Sequence, residues 1–180
     1  SNKGNGKTRN HRLDMTIMLP INVLEKAFES NRFTIMVIYR GDWCPSSRRL
    51  LTGLAALQPR ITAAGGGIIA VTSQGAAVAA QTGRTWSLFN RVRMVGDPSN
   101  EVVRHLSVFY GFHAEVLVAD ELCGNYPDGM AQLAVLAINR QRRIIYRWQQ
   151  IAWHSPAGQN LVPDAPSVWR SVRAALGSDV

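Results

Sequence analysis

Phe33-Thr-Ile-Met-Val-Ile-Tyr39-Arg-Gly-Asp-Trp-Cys44-Pro-Ser-Ser-Arg-Arg-Leu-Leu51 decides the fold of this chain. Its first seven residues are nearly all apolar and rich in β-branched and aromatic side chains, the composition of a strand covered on both faces. Gly41 and Asp42 then supply turn chemistry. Pro45 suits the first position of a helix, where its missing N–H costs nothing. Leu50, Leu54, Leu57 and Ile61 recur at helical spacing and give that helix one apolar face. The run Gly65-Gly66-Gly67 is expected to end it before a second strand over Ile68 to Thr72, which completes a βαβ unit.

Outward from this unit the alternation continues. Upstream, Ile21, Leu24 and Phe28 follow Pro20 at helical spacing and predict a short amphipathic helix that stops at Ser30-Asn31. Downstream, an Ala-rich helix is expected over 75–82, a strand around 93–95, and a helix opening at Asp97-Pro98 that carries Val102, Val103 and Leu106. Residues 111–130 read as a long irregular stretch. Leu133 to Ile138 and Ile144 to Trp148, joined by polar residues 139–143, read as a hairpin. Val168, Trp169, Val172 and Leu176 lie on one side of a closing helix. This order implies an α/β domain with a central mixed sheet and helices on both faces. Its expected extent is 19–180, preceded by a flexible basic tail over 1–18.

A chain of 180 residues with 46% hydrophobic content suits one domain with one sizeable core. Its 20 basic and 12 acidic residues give a formal charge of +8, but the basic residues are dispersed and none interleaves with aromatics, so no nucleic-acid partner is read from them. Two cysteines do not make a disulfide scaffold, and no apolar leader or membrane-length apolar run is present, so an intracellular, cytoplasmic setting is expected. The four histidines show no paired ligand spacing with each other or with the cysteines, so neither a metal nor an organic cofactor is read. Gly4-Asn-Gly-Lys-Thr8 imitates the end of a phosphate-binding loop, yet it lacks the leading glycine and a preceding strand.

The chemistry concentrates on Cys44, which follows a strand and precedes a helix and therefore caps the helix N-terminus. A thiolate there faces unpaired N–H groups and the positive end of the helix dipole, with Arg48 and Arg49 close in sequence to add cationic support. The Ser47 hydroxyl, one turn on, is expected to donate a hydrogen bond to the sulfur. Trp43 is expected to cover the apolar side of the thiol, and Asp42 is a candidate proton relay, although its place in a Gly-Asp turn is explained by turn chemistry alone. Cys123, in the turn-rich 111–130 stretch, is a possible resolving thiol or an unrelated free one.

Residues 33–51, with Trp43-Cys44-Pro45 at their centre, resemble the active-site strand, turn and helix of peroxiredoxin-like proteins of the thioredoxin superfamily (alkyl hydroperoxide reductase or thiol-specific antioxidant type). Ile69-Ala-Val-Thr-Ser-Gln74 is similar to that family's second strand, and Gly96-Asp-Pro-Ser-Asn100 to its later turn. Val135 to Trp148, with Pro163-Asp-Ala-Pro-Ser-Val-Trp169, is similar to its C-terminal hairpin and helix, so the likeness covers roughly residues 20–176. The resemblance implies a thioredoxin-like fold and a thiol-dependent oxidoreductase with Cys44 as nucleophile. It also implies a disulfide or peroxide substrate and a thiol reductant such as thioredoxin or glutathione.

The chain departs from the family pattern at three places. Typical members carry a second redox residue where this chain has Ser47. The peroxiredoxin pattern has Thr or Ser where Gly41 stands and Pro where Val37 stands. Leu133 occupies the place of the proline that usually opens the strand facing the active site. These departures leave a second reading open, a redox-inactive thioredoxin-fold module that binds a protein partner through the 111–130 stretch.

Overall fold

The computed structural model describes residues 18–122, 124–151 and 162–177. Five strands form one sheet in the order β3-β2-β1-β6-β7, and two short strands form a separate ribbon. At the centre lies β1 (Phe33–Ile38), parallel to β2 (Gly66–Thr72) and antiparallel to β6 (Ala134–Asn139). The outer pairings are β2 with β3 (Arg93–Gly96), parallel, and β6 with β7 (Ile144–Gln149), antiparallel, the latter with a register shift between Ala137 and Ile138. This is the α/β mixed sheet that the alternation of elements implies.

The period of two along β1 divides the core into two layers. Phe33, Ile35 and Val37, with Tyr39 just beyond the strand, point to one face and pack on α2 (Pro45–Ala63) and α5 (Ala165–Gly177) through Leu50, Leu51, Leu54, Val168 and Trp169. Met36 and Ile38 point to the other face, against Leu24 and Phe28 of α1 (Pro20–Ser30) and Val102, Val103 and Leu106 of α4 (Glu101–Tyr110). Between β2 and β3 runs α3 (Ala76–Thr85).

Local chemistry sets the element ends. Only Gly65, at φ +88°, lies beyond the end of α2, whereas Gly66 and Gly67 already belong to β2, contrary to the expectation that all three glycines end the helix. Within α2, Pro59 has no N–H to give the carbonyl of Ala55, four residues back; Arg91 Nη1 donates to that oxygen instead, at 3.4 Å. The expected helix start at Asp97-Pro98 is displaced to Glu101. Asp97 reaches across the turn and accepts from the N–H groups of Glu101 (3.0 Å) and Val102 (2.9 Å), doing the work of a cap that Asn100, held at φ 53°, does not do.

The expected irregular stretch 111–130 is also partly ordered. It contains β4 (Val116–Leu117) and a 3-10 turn over Asp120–Leu122, and Met130 begins β5 (Met130–Ala131), the antiparallel partner of β4. Two-residue strands are too short to leave a periodic signature. The expected tail, apart from Met18, lies outside the described residues, as does Cys123.

Leu54 is fully buried between α2 and the sheet. Leu54→Ala is expected to destabilise the fold by about 2–5 kcal/mol, measured as a lower urea midpoint at unchanged slope.

Candidate active site

At the C-terminal end of β1 the chain leaves the sheet through Tyr39 and Arg40, turns at Gly41–Cys44, and enters α2. The Cys44 N–H donates to the Gly41 carbonyl at 3.2 Å, and the Cys44 carbonyl accepts from Arg48 N at 3.1 Å. Cys44 is thus the N-cap residue of α2, in extended conformation, with Pro45 in the first turn as expected. It is a free thiol only 4% exposed.

Asp42 is held from β2. Gln74, two residues past the end of that strand, accepts from the Asp42 backbone N–H (3.0 Å) through Oε1 and donates through Nε2 to the Asp42 carboxylate (2.8 Å). The carboxylate is therefore engaged in clamping its own turn. Trp43 is half exposed, and its indole N–H donates to the Tyr126 hydroxyl at 2.8 Å. That hydroxyl in turn donates to the Arg40 carbonyl at 2.9 Å, and the Arg40 guanidinium lies over the Trp43 ring, 4.8 Å from its centroid.

Two expected contacts are not made. Ser47 is fully buried one turn along α2, but among the described residues its hydroxyl has no hydrogen-bond partner and does not donate to the sulfur. Arg48 and Arg49 are exposed on the first turns of α2 and neither side chain bonds to the Cys44 sulfur; Arg49 instead lines a cavity with Ser46, Leu50, Pro163 and Asp164. Helix rotation explains both. Residues 44 and 47 lie on the same side of the helix, but the side chain at 47 leans back into the core layer, while residues 48 and 49 face solvent.

Sequence reasoning missed Tyr126 and Gln74. Tyr126 is buried, and burial pushes its hydroxyl above the usual tyrosine range, against a smaller opposing effect of the Trp43 hydrogen bond. It heads a turn closed by Gly129 N donating to the Tyr126 carbonyl at 3.0 Å. That turn is fastened by a buried polar network. Ser73 Oγ donates to Asn100 Oδ1 (2.6 Å) and accepts from Ala131 N (2.9 Å), and Asn100 Nδ2 donates to the carbonyls of Asp128 and Gly129. No sequence spacing links residues 40–43 to a tyrosine more than eighty positions away. Leu133, where the resemblance puts the missing proline, is buried, its carbonyl accepts from Gln150 N at 2.8 Å, and every described peptide bond is trans.

The fold recurs in solved structures. A peroxiredoxin 5 from Alvinella pompejana superposes with a TM-score of 0.63 at 16% identity, over 84% of each chain. A reduced Prx3 from Vibrio vulnificus in complex with H2O2 gives 0.62 at 14% identity, over 83% of each chain. The chain has the thioredoxin-like fold of the peroxiredoxins. A peroxidoxin BcpB from Mycobacterium tuberculosis gives 0.60 at 9% identity, covering 86% of this chain and 84% of that one. No family model and no curated protein sequence matches the chain.

Gln74→Ala removes both partners of Asp42. The loss is expected to cost about 1–2 kcal/mol, read as a lower chemical-denaturation midpoint. Asp42→Ala, which keeps the backbone N–H bond to Gln74, is expected to cost less.

Proposed function

We propose that this chain is a thiol-dependent peroxide reductase that uses Cys44 as its nucleophile. The observation that carries this reading is the seating of Cys44 as the N-cap of a nineteen-residue helix at the open end of the central strand, within a peroxiredoxin-like fold. A sulfur at that position stands at the positive end of the helix dipole, although the Cys44 side chain makes no capping hydrogen bond.

In the proposed reaction the Cys44 thiolate attacks one oxygen of a hydroperoxide. The S–O bond forms as the O–O bond breaks, and the departing alkoxide or hydroxide takes a proton and leaves as alcohol or water. Cys44 becomes a sulfenic acid. A second thiol condenses with it, releasing water and giving a disulfide, which a further thiol then reduces. Since Ser47 supplies no thiol, the second one comes from Cys123 or from an external reductant such as thioredoxin or glutathione.

The 4% exposure of Cys44, together with Ser47, favours one competing reading, a redox-inactive binding module. The test is peroxide consumption with dithiothreitol or thioredoxin as reductant, with intact mass recorded after peroxide treatment. Expected are turnover by the parent chain, a 16 Da adduct trapped on Cys44, and a loss of about 100-fold or more in Cys44→Ser. A parent chain that neither consumes peroxide nor gains mass would overturn the peroxide reading and argue for the binding module. Cys123→Ser separates the two sources of the second thiol: retained turnover with an external thiol assigns the step to the reductant.

A further inference from the structure

Gly41 has no backbone need to be glycine: it is not among the glycines with positive φ. Its missing side chain answers a steric demand instead. A Cβ built there would overlap the Tyr126 hydroxyl and would stand 2.6 Å from Trp43 Nε1. The phenol oxygen thus fills the space that a side chain at position 41 would take, three residues before Cys44.

We propose that the Tyr126 hydroxyl is the positioning group of the Cys44 turn, supplied from a distant segment of the chain to the place where a hydroxyl carried at position 41 would stand. The inference deepens the peroxide-reductase reading and rests on it only for the nature of the electrophile. Two observations support it. The hydroxyl joins both ends of the turn, accepting from Trp43 Nε1 and donating to the Arg40 carbonyl, so it fixes the path of residues 40–43 into the helix cap. Its single proton goes to the Arg40 carbonyl, so it acts on the turn that carries Cys44 and not on the sulfur itself. Its own segment is pinned to the ends of β2 and α4 by the Ser73–Asn100 network, so the hydroxyl is held by rigid elements rather than by a free loop.

Geometry supplies the test. A serine at position 41 would carry its Oγ one bond beyond a Cβ that already overlaps the Tyr126 oxygen, so Gly41→Ser combined with Tyr126→Ala returns a hydroxyl to nearly the same place. Trp43, half exposed and released from its hydrogen bond by Tyr126→Ala, has to shift to admit the new side chain. Two rates are measured on the full chain: oxidation of Cys44 by H2O2, and alkylation of Cys44 by iodoacetamide, each followed by peptide mass spectrometry. Tyr126→Phe keeps the ring and is expected to slow both rates about 10-fold with the circular dichroism spectrum unchanged. Gly41→Ser/Tyr126→Ala is expected to recover most of the loss, and Gly41→Ala/Tyr126→Ala, which fills the same space without a hydroxyl, is expected to recover none.

Parent rates in Tyr126→Phe would overturn the inference, as would equal rates in the two double variants. If the parent chain does not react with H2O2 at all but alkylation follows the expected pattern, the peroxide reading fails and the role of Tyr126 stands. Where Tyr126→Ala lowers the unfolding midpoint, Tyr126→Phe still decides between the hydroxyl and the ring.

Discussion

Every residue of β1 has 1% or less of its surface exposed, and that double-sided burial is the constraint from which the rest of the molecule follows. A strand covered above and below needs two apolar layers. Here α2 and α5 close one layer, and α1 and α4 close the other. With parallel β2 on one flank and antiparallel β6 on the other, neither the position nor the direction of β1 has freedom to vary. The first residues after it, Tyr39 to Cys44, emerge where the sheet ends and the next helix starts. The thiol is therefore delivered to a helix N-terminus by core packing, and its surroundings are a boundary condition of the fold.

The elements built on strong periodicity were legible in the sequence: α1, β1, α2, β2, the β6–β7 hairpin and α5. Each owes its identity to an apolar pattern that no other packing satisfies. The pattern fails where structure depends on side chains that bond across long sequence separations. Asn100 sits in a left-handed conformation to reach the 128–129 carbonyls, and Tyr126 crosses to the Cys44 turn. Neither leaves a local signature. The same limit explains the candidate site. Cys44 and Pro45 were identifiable because capping is local. Whether Ser47, Arg48 and Arg49 met the sulfur depended on the rotation of one helix against the sheet, which the spacing of three to five residues does not determine.

The polar interior adjoining the site is small and almost closed on itself. Ser73 and Asn100 are both buried, and each spends its hydrogen-bonding capacity on the backbone of residues 128–131 or on the other. Such a network is strong when complete and costly when broken, because a single lost partner leaves a desolvated group behind. It makes the ends of β2 and α4 and the 126–131 segment behave as one body, and the aromatic anchor of the cysteine turn belongs to that body. By contrast, the Ser47 hydroxyl, buried with no partner on the other side of the turn, carries a desolvation cost that nothing in the described residues offsets.

The register shift between β6 and β7 bears on how copies of this chain meet. A shift next to an edge strand twists that edge and interrupts the even row of donors and acceptors that a neighbouring sheet would need. At the opposite edge, β3 is only four residues long and begins with an exposed arginine. Both flanks of the sheet are thus poor templates for sheet extension, which disfavours fibrillar growth and leaves helix and loop surfaces as the places where self-association would have to occur.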